Sequence, residues 1–175
     1  LGRALTMPHE HAECLTPRFS RLAAMVDLSR NSVYTLKTMK RFLCQLALMG
    51  FNTAYLYMED TYEIPEEPYF GYLRGRYTRE ELKDIVAFCN SIDIEVVPCM
   101  QTLAHLNQMF KWKTYSPVND TAAILLVDEE KTYELIENMF RSLRECFTTD
   151  RIHIGMDEAH MLGRGKHMDI HGYEN

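Results

Sequence analysis

The chain has 175 residues, of which 46% are hydrophobic and 25% charged, with a formal net charge of -6 and a pI near 5.6. These values exclude a disordered polymer and leave enough length for one domain with its own core. The acidic balance, with no clustered basic stripe, excludes nucleic acid as a partner, and no run approaches the roughly 18 apolar residues of a membrane helix.

The first residues, Leu-Gly-Arg-Ala-Leu, include no Met and lack the charged-then-apolar plan of a signal peptide, so the natural start is expected upstream. Residues 1–20 read as a lead-in, with Pro8, Pro17 and a His9-x-His11 pair that is better read as solvated than as half of a metal site. Residues 21–28 predict a first strand with Asp27-Leu-Ser-Arg30 at its C-terminal end. Asn31 or Ser32 can cap a helix whose positions Leu36, Met39, Leu43, Leu46 and Ala47 share one face, and Gly50 can end it.

Residues 53–58 predict a second strand, followed by Glu59-Asp60 and a long loop rich in aromatics from Tyr62 to Tyr77. Thr78-x-x-Glu81 is a capping-box pattern, and Leu82, Ile85, Val86 and Cys89 continue at helical spacing to about Ser91. Residues 94–99 predict a third strand, after which Gln101-Thr-Leu-Ala-His105 forms another polar rim. Residues 112–123, with Pro117, read as irregular, and the next helix is expected from Asp128 through Leu143. The fourth strand is Arg151-Ile-His-Ile-Gly-Met-Asp157, whose alternation sets Ile152, Ile154 and Met156 against helices and His153, Gly155 and Asp157 toward the interior.

Strand and helix alternate with no hairpin signal, which predicts the α/β class with parallel strands and right-handed crossovers. A complete TIM-type (β/α)8 barrel needs about 250 residues, so residues 21–175 are expected to supply about its first four β/α units. Such a half would have open strand edges, and a homodimer is one form of association it invites. The five cysteines, Cys14, Cys44, Cys89, Cys99 and Cys146, are scattered and include no Cys-x-x-Cys pair. A reducing, cytoplasmic setting fits that pattern best, with cell-surface or secreted placement as the alternative.

Each strand end carries polar groups: Asp27 and Arg30, Glu59 and Asp60, His105, then Asp157 and Glu158. Any one of them alone is more often a solvated surface residue than a functional one. Their recurrence matters because a parallel barrel gathers these ends onto a single rim. Asp157-Glu158-Ala159-His160 also spells a helicase-like run, but the chain has no phosphate loop, and Gly163-Arg-Gly-Lys166 has the wrong spacing and position for one. A metal-dependent hydrolase built on His153, Asp157 and His160 is the stronger rival.

His153-Ile-Gly-Met-Asp-Glu158 resembles the His-x-Gly-x-Asp-Glu signature of glycoside hydrolase family 20, the β-N-acetylhexosaminidases, and is most similar to the branch with streptococcal-type exo-β-N-acetylglucosaminidases. Asp27-Leu-Ser-Arg30 resembles the family's first-strand motif, which implies that Arg30 holds hydroxyls of the terminal sugar. Asp60 and His105 stand where the family has an aspartate-histidine pair beside the acid, with His153 in support. Tyr55-Leu56-Tyr57 replaces a frequent His-Trp-His, and Ala104 a frequent Gly.

The resemblance implies substrate-assisted cleavage, with Glu158 as general acid/base and Asp157 as the ionised group that orients the acetamido group. It implies an N-acetylglucosamine-terminated glycan as partner, and neither a cofactor nor a metal. A catalytically silent sugar-binding or assembly fragment is the alternative. The family's aromatic walls come from later strands, and Trp112 is the only Trp here.

Overall fold

The computed structural model describes residues 16–173, so most of the lead-in, including His9, His11 and Cys14, lies outside the described residues. Three parallel strands, β1 (Ala23–Asp27), β2 (Thr53–Tyr57) and β3 (Glu95–Cys99), form a sheet in that order. The register pairs Asp27 with Tyr57 and Tyr57 with Cys99, so all three strands end on one level. Between them run α1 (Leu36–Leu48) and α2 (Arg79–Ser91), and α3 (Glu130–Cys146) follows β3 after a long excursion. α1 packs on α2 and α2 on α3.

One face of the sheet, with Val26, Ala54, Leu56 and Val96, buries itself against Met39 and Leu43 of α1 and Leu82 and Ile85 of α2. Burying each Leu or Ile side chain of this kind contributes about 1.5–3 kcal/mol, and this layer is the main core. Helix starts and stops follow local chemistry. Glu81 N–H donates to Thr78 Oγ1 at 3.2 Å and Thr78 N–H to Glu81 Oε2 at 2.9 Å, the reciprocal box expected at α2. Gly50, just beyond α1, has φ +92, a left-handed geometry that a glycine takes without a Cβ penalty.

Four expectations need correction. The cap of α1 is Thr35, not Asn31 or Ser32, because Asp27 Oδ1 accepts from the N–H groups of Ser29 and Arg30 and turns the chain there first. α3 begins at Glu130 with Glu129 as its cap, since Asp128 lies in the left-handed region at φ +62. The stretch read as irregular contains a 3-10 turn (Lys113–Val118) and β4 (Asn119–Thr121), the first strand of an antiparallel hairpin completed by β5 (Ile124–Leu125).

The fourth correction concerns the segment carrying the carboxylates. Its pairing is confined to a parallel bridge between Cys99 and His153, with His153 N–H on Pro98 O and Met100 N–H on His153 O, both at 2.9 Å. The alternation fails at Gly155, whose φ of +57 breaks the extended backbone. Ile152 packs against the core as expected, but Ile154 and Met156 are 42% and 56% exposed rather than covered by helices. Cys44, Cys89, Cys99 and Cys146 are free thiols, and burial pushes those of Cys89 and Cys99 up to about 12. Among the described residues, no helix is long and apolar enough to cross a membrane.

Candidate active site

Gly155 brings the carboxylates to the rim. A Cβ there would sit 2.3 Å from Met100 O and 2.4 Å from Gln101 Oε1, so only a glycine lets the chain press against the end of β3. Thr102 N–H then donates to Ile154 O at 3.0 Å, fixing the segment just before Asp157 and Glu158. Glu59, His105 and Glu158 all have left-handed backbone, with φ of 48, 58 and 54. Such conformations are costly for non-glycine residues and persist where the surroundings enforce them.

His105 Nε2 lies 3.2 Å from Asp157 Oδ2 and 3.3 Å from Glu158 Oε2, so one imidazole faces both carboxylates. Neither oxygen is aligned with the ring N–H for a linear hydrogen bond, which makes these contacts electrostatic rather than directional. Gln101 Nε2 reaches Asp157 Oδ1 at 3.5 Å and Tyr57 OH at 3.2 Å. Burial alone would raise the Asp157 pKa. Its own backbone N–H, the Gln101 amide and His105 outweigh that and hold it below 3.8, so Asp157 is ionised. The Glu158 side chain is 65% exposed, open to an incoming group.

A polar chain continues from Tyr57. Its hydroxyl donates to Glu59 Oε1 at 2.9 Å, and burial followed by that acceptor raises its pKa, keeping the phenol protonated. Ser29 Oγ donates to Glu59 Oε2, while Arg74 donates to Ser29 O at 2.8 Å and to Asp60 Oδ1 at 3.1 Å. Arg30 pairs with Asp27 at 2.9 Å and lies over the Tyr57 ring at 4.8 Å. Burial raises the Asp60 pKa, a shift that Arg74 opposes.

Of the residues singled out in the sequence, Asp157, Glu158 and His105 therefore converge. Asp60 does not join His105: its ion pair is with Arg74. Arg30 stands at the same rim, linked to Asp157 by three hydrogen bonds through Tyr57 and Gln101. His153 lines an open cleft of about 560 Å³ together with Met25, Tyr57, Gly155 and Asp157. The rival metal set of His153, Asp157 and His160 is not brought together, whereas His105, Asp157 and Glu158 place one ligand atom each within 4.8 Å of one another.

Sequence reasoning gave no place in the site to Tyr57, Gln101, Ser29 or Arg74, although it counted Glu59 among the strand-end polar groups. The first three sit at strand ends and could have been found by position. Arg74 lies in the aromatic loop and carries no such signal.

The family model for the glycosyl hydrolase family 20 catalytic domain matches residues 19–169. A beta-hexosaminidase of Emericella nidulans is 24% identical over 170 residues, covering 81% of this chain and 28% of the relative. Hexosaminidase D of Bos taurus is 27% identical over 127 residues, covering 67% of this chain and 35% of the relative. Among solved structures, the N-acetyl-beta-hexosaminidase of Streptomyces plicatus in complex with Thio-NAglucal superposes with a TM-score of 0.74 at 26% identity, covering 82% of this chain and 34% of that one. The chain thus spans about a third or less of the length of these relatives. With a match that runs from before β1 to beyond Glu158, it belongs to glycosyl hydrolase family 20 and carries part of the catalytic domain.

Proposed function

We propose that the protein containing this chain is a retaining exo-β-N-acetylhexosaminidase that removes terminal β-linked N-acetylglucosamine or N-acetylgalactosamine from oligosaccharides or glycoconjugates. Residues 21–175 supply the first half of its TIM-type (β/α)8 barrel. Glu158 protonates the leaving glycosidic oxygen and then takes a proton from the incoming water. The substrate's acetamido oxygen attacks the anomeric carbon, and Asp157 accepts the acetamido N–H and stabilises the positive charge on the cyclised intermediate. Arg30 holds sugar hydroxyls, while His105 positions the two carboxylates.

The observation that carries this reading is an Asp157 kept ionised by Gln101 and His105 beside an exposed Glu158. One oxygen of each carboxylate lies within 4.8 Å of the other, close enough for both to act on the same sugar residue. The convergence of His105, Asp157 and Glu158 favours a second reading, a hydrolase that binds a cation there.

One experiment on the full-length enzyme separates the two. A β-N-acetylglucosaminide and the matching β-glucoside are compared in the wild type, Glu158→Gln and Asp157→Asn. The glucoside is expected to be nearly inert. Glu158→Gln should lose roughly 10²- to 10⁴-fold on poor leaving groups and less on activated aryl glycosides, whereas the Asp157→Asn loss should persist across leaving groups. Equal cleavage of glucoside and N-acetylglucosaminide would overturn substrate assistance and favour the cation reading.

A further inference from the structure

The segment after the carboxylates carries chemistry that the proposed reaction does not use. Two histidines four residues apart lie on the short helix α4 (Lys166–His171), so they share one face, with ring centroids 4.4 Å apart. Asp128, just before α3, brings Oδ2 to 3.6 Å from His167 Nε2. One ligand atom from each of Asp128, His167 and His171 lies within 4.8 Å of the others.

Tetrahedral coordination with bonds near 2.0–2.1 Å places ligand atoms about 3.3 Å apart, so small side-chain rotations close these three around one ion. Two imidazoles and one carboxylate are a donor set for zinc-like borderline cations rather than for magnesium or calcium, which prefer all-oxygen sites.

The backbone holds this arrangement in place. Buried Asp120 of β4 accepts from His167 N–H at 2.8 Å through Oδ1 and from Gly163 N–H at 3.0 Å through Oδ2. A Cβ on Gly165 would fall 2.0 Å from Asp120 O, so glycine is required for the approach. Lys166 Nζ adds contacts to Ser116 O and Pro117 O at 3.4 and 3.3 Å. The Gly163-Arg-Gly-Lys166 stretch, which cannot serve as a phosphate loop, is thus the strap that seats α4 on the hairpin.

We propose that Asp128, His167 and His171 form a zinc site that clamps the segment following Glu158 to the start of α3. The test is uptake of zinc chloride by the purified full-length protein, measured in competition with a chromophoric chelator, with cobalt(II) absorption as a report on tetrahedral coordination. One zinc per chain is expected. Binding should weaken by more than about tenfold in Asp128→Asn and further in the His167→Ala/His171→Ala double variant. Asn tolerates the left-handed φ of residue 128, so that variant keeps the fold while losing the charge.

His105→Ala should leave zinc affinity unchanged. Absence of zinc uptake by the wild type, wild-type affinity in Asp128→Asn and the double variant, or loss of binding in His105→Ala alone would each overturn the site. Because the readout is metal binding rather than hydrolysis, absence of uptake or unchanged affinity in the Asp128 and histidine variants leaves the hexosaminidase reading standing, whereas zinc lost in His105→Ala alone would place the ion at the carboxylate pair instead.

Discussion

At the scale of single residues, the pair Asp157–Glu158 is differentiated by what each touches. Asp157 has Gln101 and His105 as partners and is held in the charged form, whereas the more exposed Glu158 side chain shares only the same Nε2 of His105. The sign of the linkage follows. A carboxylate whose pKa is depressed on folding adds stability above its unfolded value near 3.8, and loses it as pH falls through the lower folded value. Gln101→Ala removes a donor to the ionised form while burial remains, so the Asp157 pKa should rise. The acid limb of kcat/KM in the full-length enzyme is expected to move to higher pH, as a pH–rate profile would reveal; a limb that stays put or moves down would contradict the assignment of Gln101. The side chain of Asp157 is 54% exposed, so the effect belongs in the activity profile more than in the melting temperature.

At the scale of elements, the site depends on a strand that stops early. Gly155 takes a left-handed φ and lies so close to Met100 O that a methyl group cannot fit. Gly155→Ala should therefore destabilise the fold by at least about 1–3 kcal/mol from backbone strain alone, measured by denaturant unfolding, with the clash adding to it. An unchanged midpoint would mean that the segment relaxes freely. The elements set by local rules were legible in the sequence: the capping box of α2, the glycine after α1 and the three strands between helices. What was not legible came from contacts distant in sequence. The β4–β5 hairpin holds because Asp120 accepts from N–H groups at 163 and 167, and Asp60 takes Arg74 rather than His105. The two-residue period of residues 152–156 misled because it ignores what one left-handed glycine does to alternation.

At the scale of the whole molecule, the sheet has a helix-covered face and a second face that is open at β1, while Tyr57, Val97 and Cys99 on it are buried. Met25, Ile154 and Met156 are 56%, 42% and 56% exposed, and among the described residues no further strand pairs with the outer sides of β1 and of the bridge at His153. The 175-residue polypeptide on its own is therefore expected to associate, giving dimers or larger species in light scattering behind a sizing column. A monodisperse, cooperatively melting monomer would contradict that. The rim of this sheet also sets folding and chemistry at odds. Glu59, His105 and Glu158 occupy backbone conformations where glycine or asparagine would cost less. A redesign guided only by thermal robustness would replace these three positions early, producing a sturdier molecule stripped of its imidazole and its proposed proton donor.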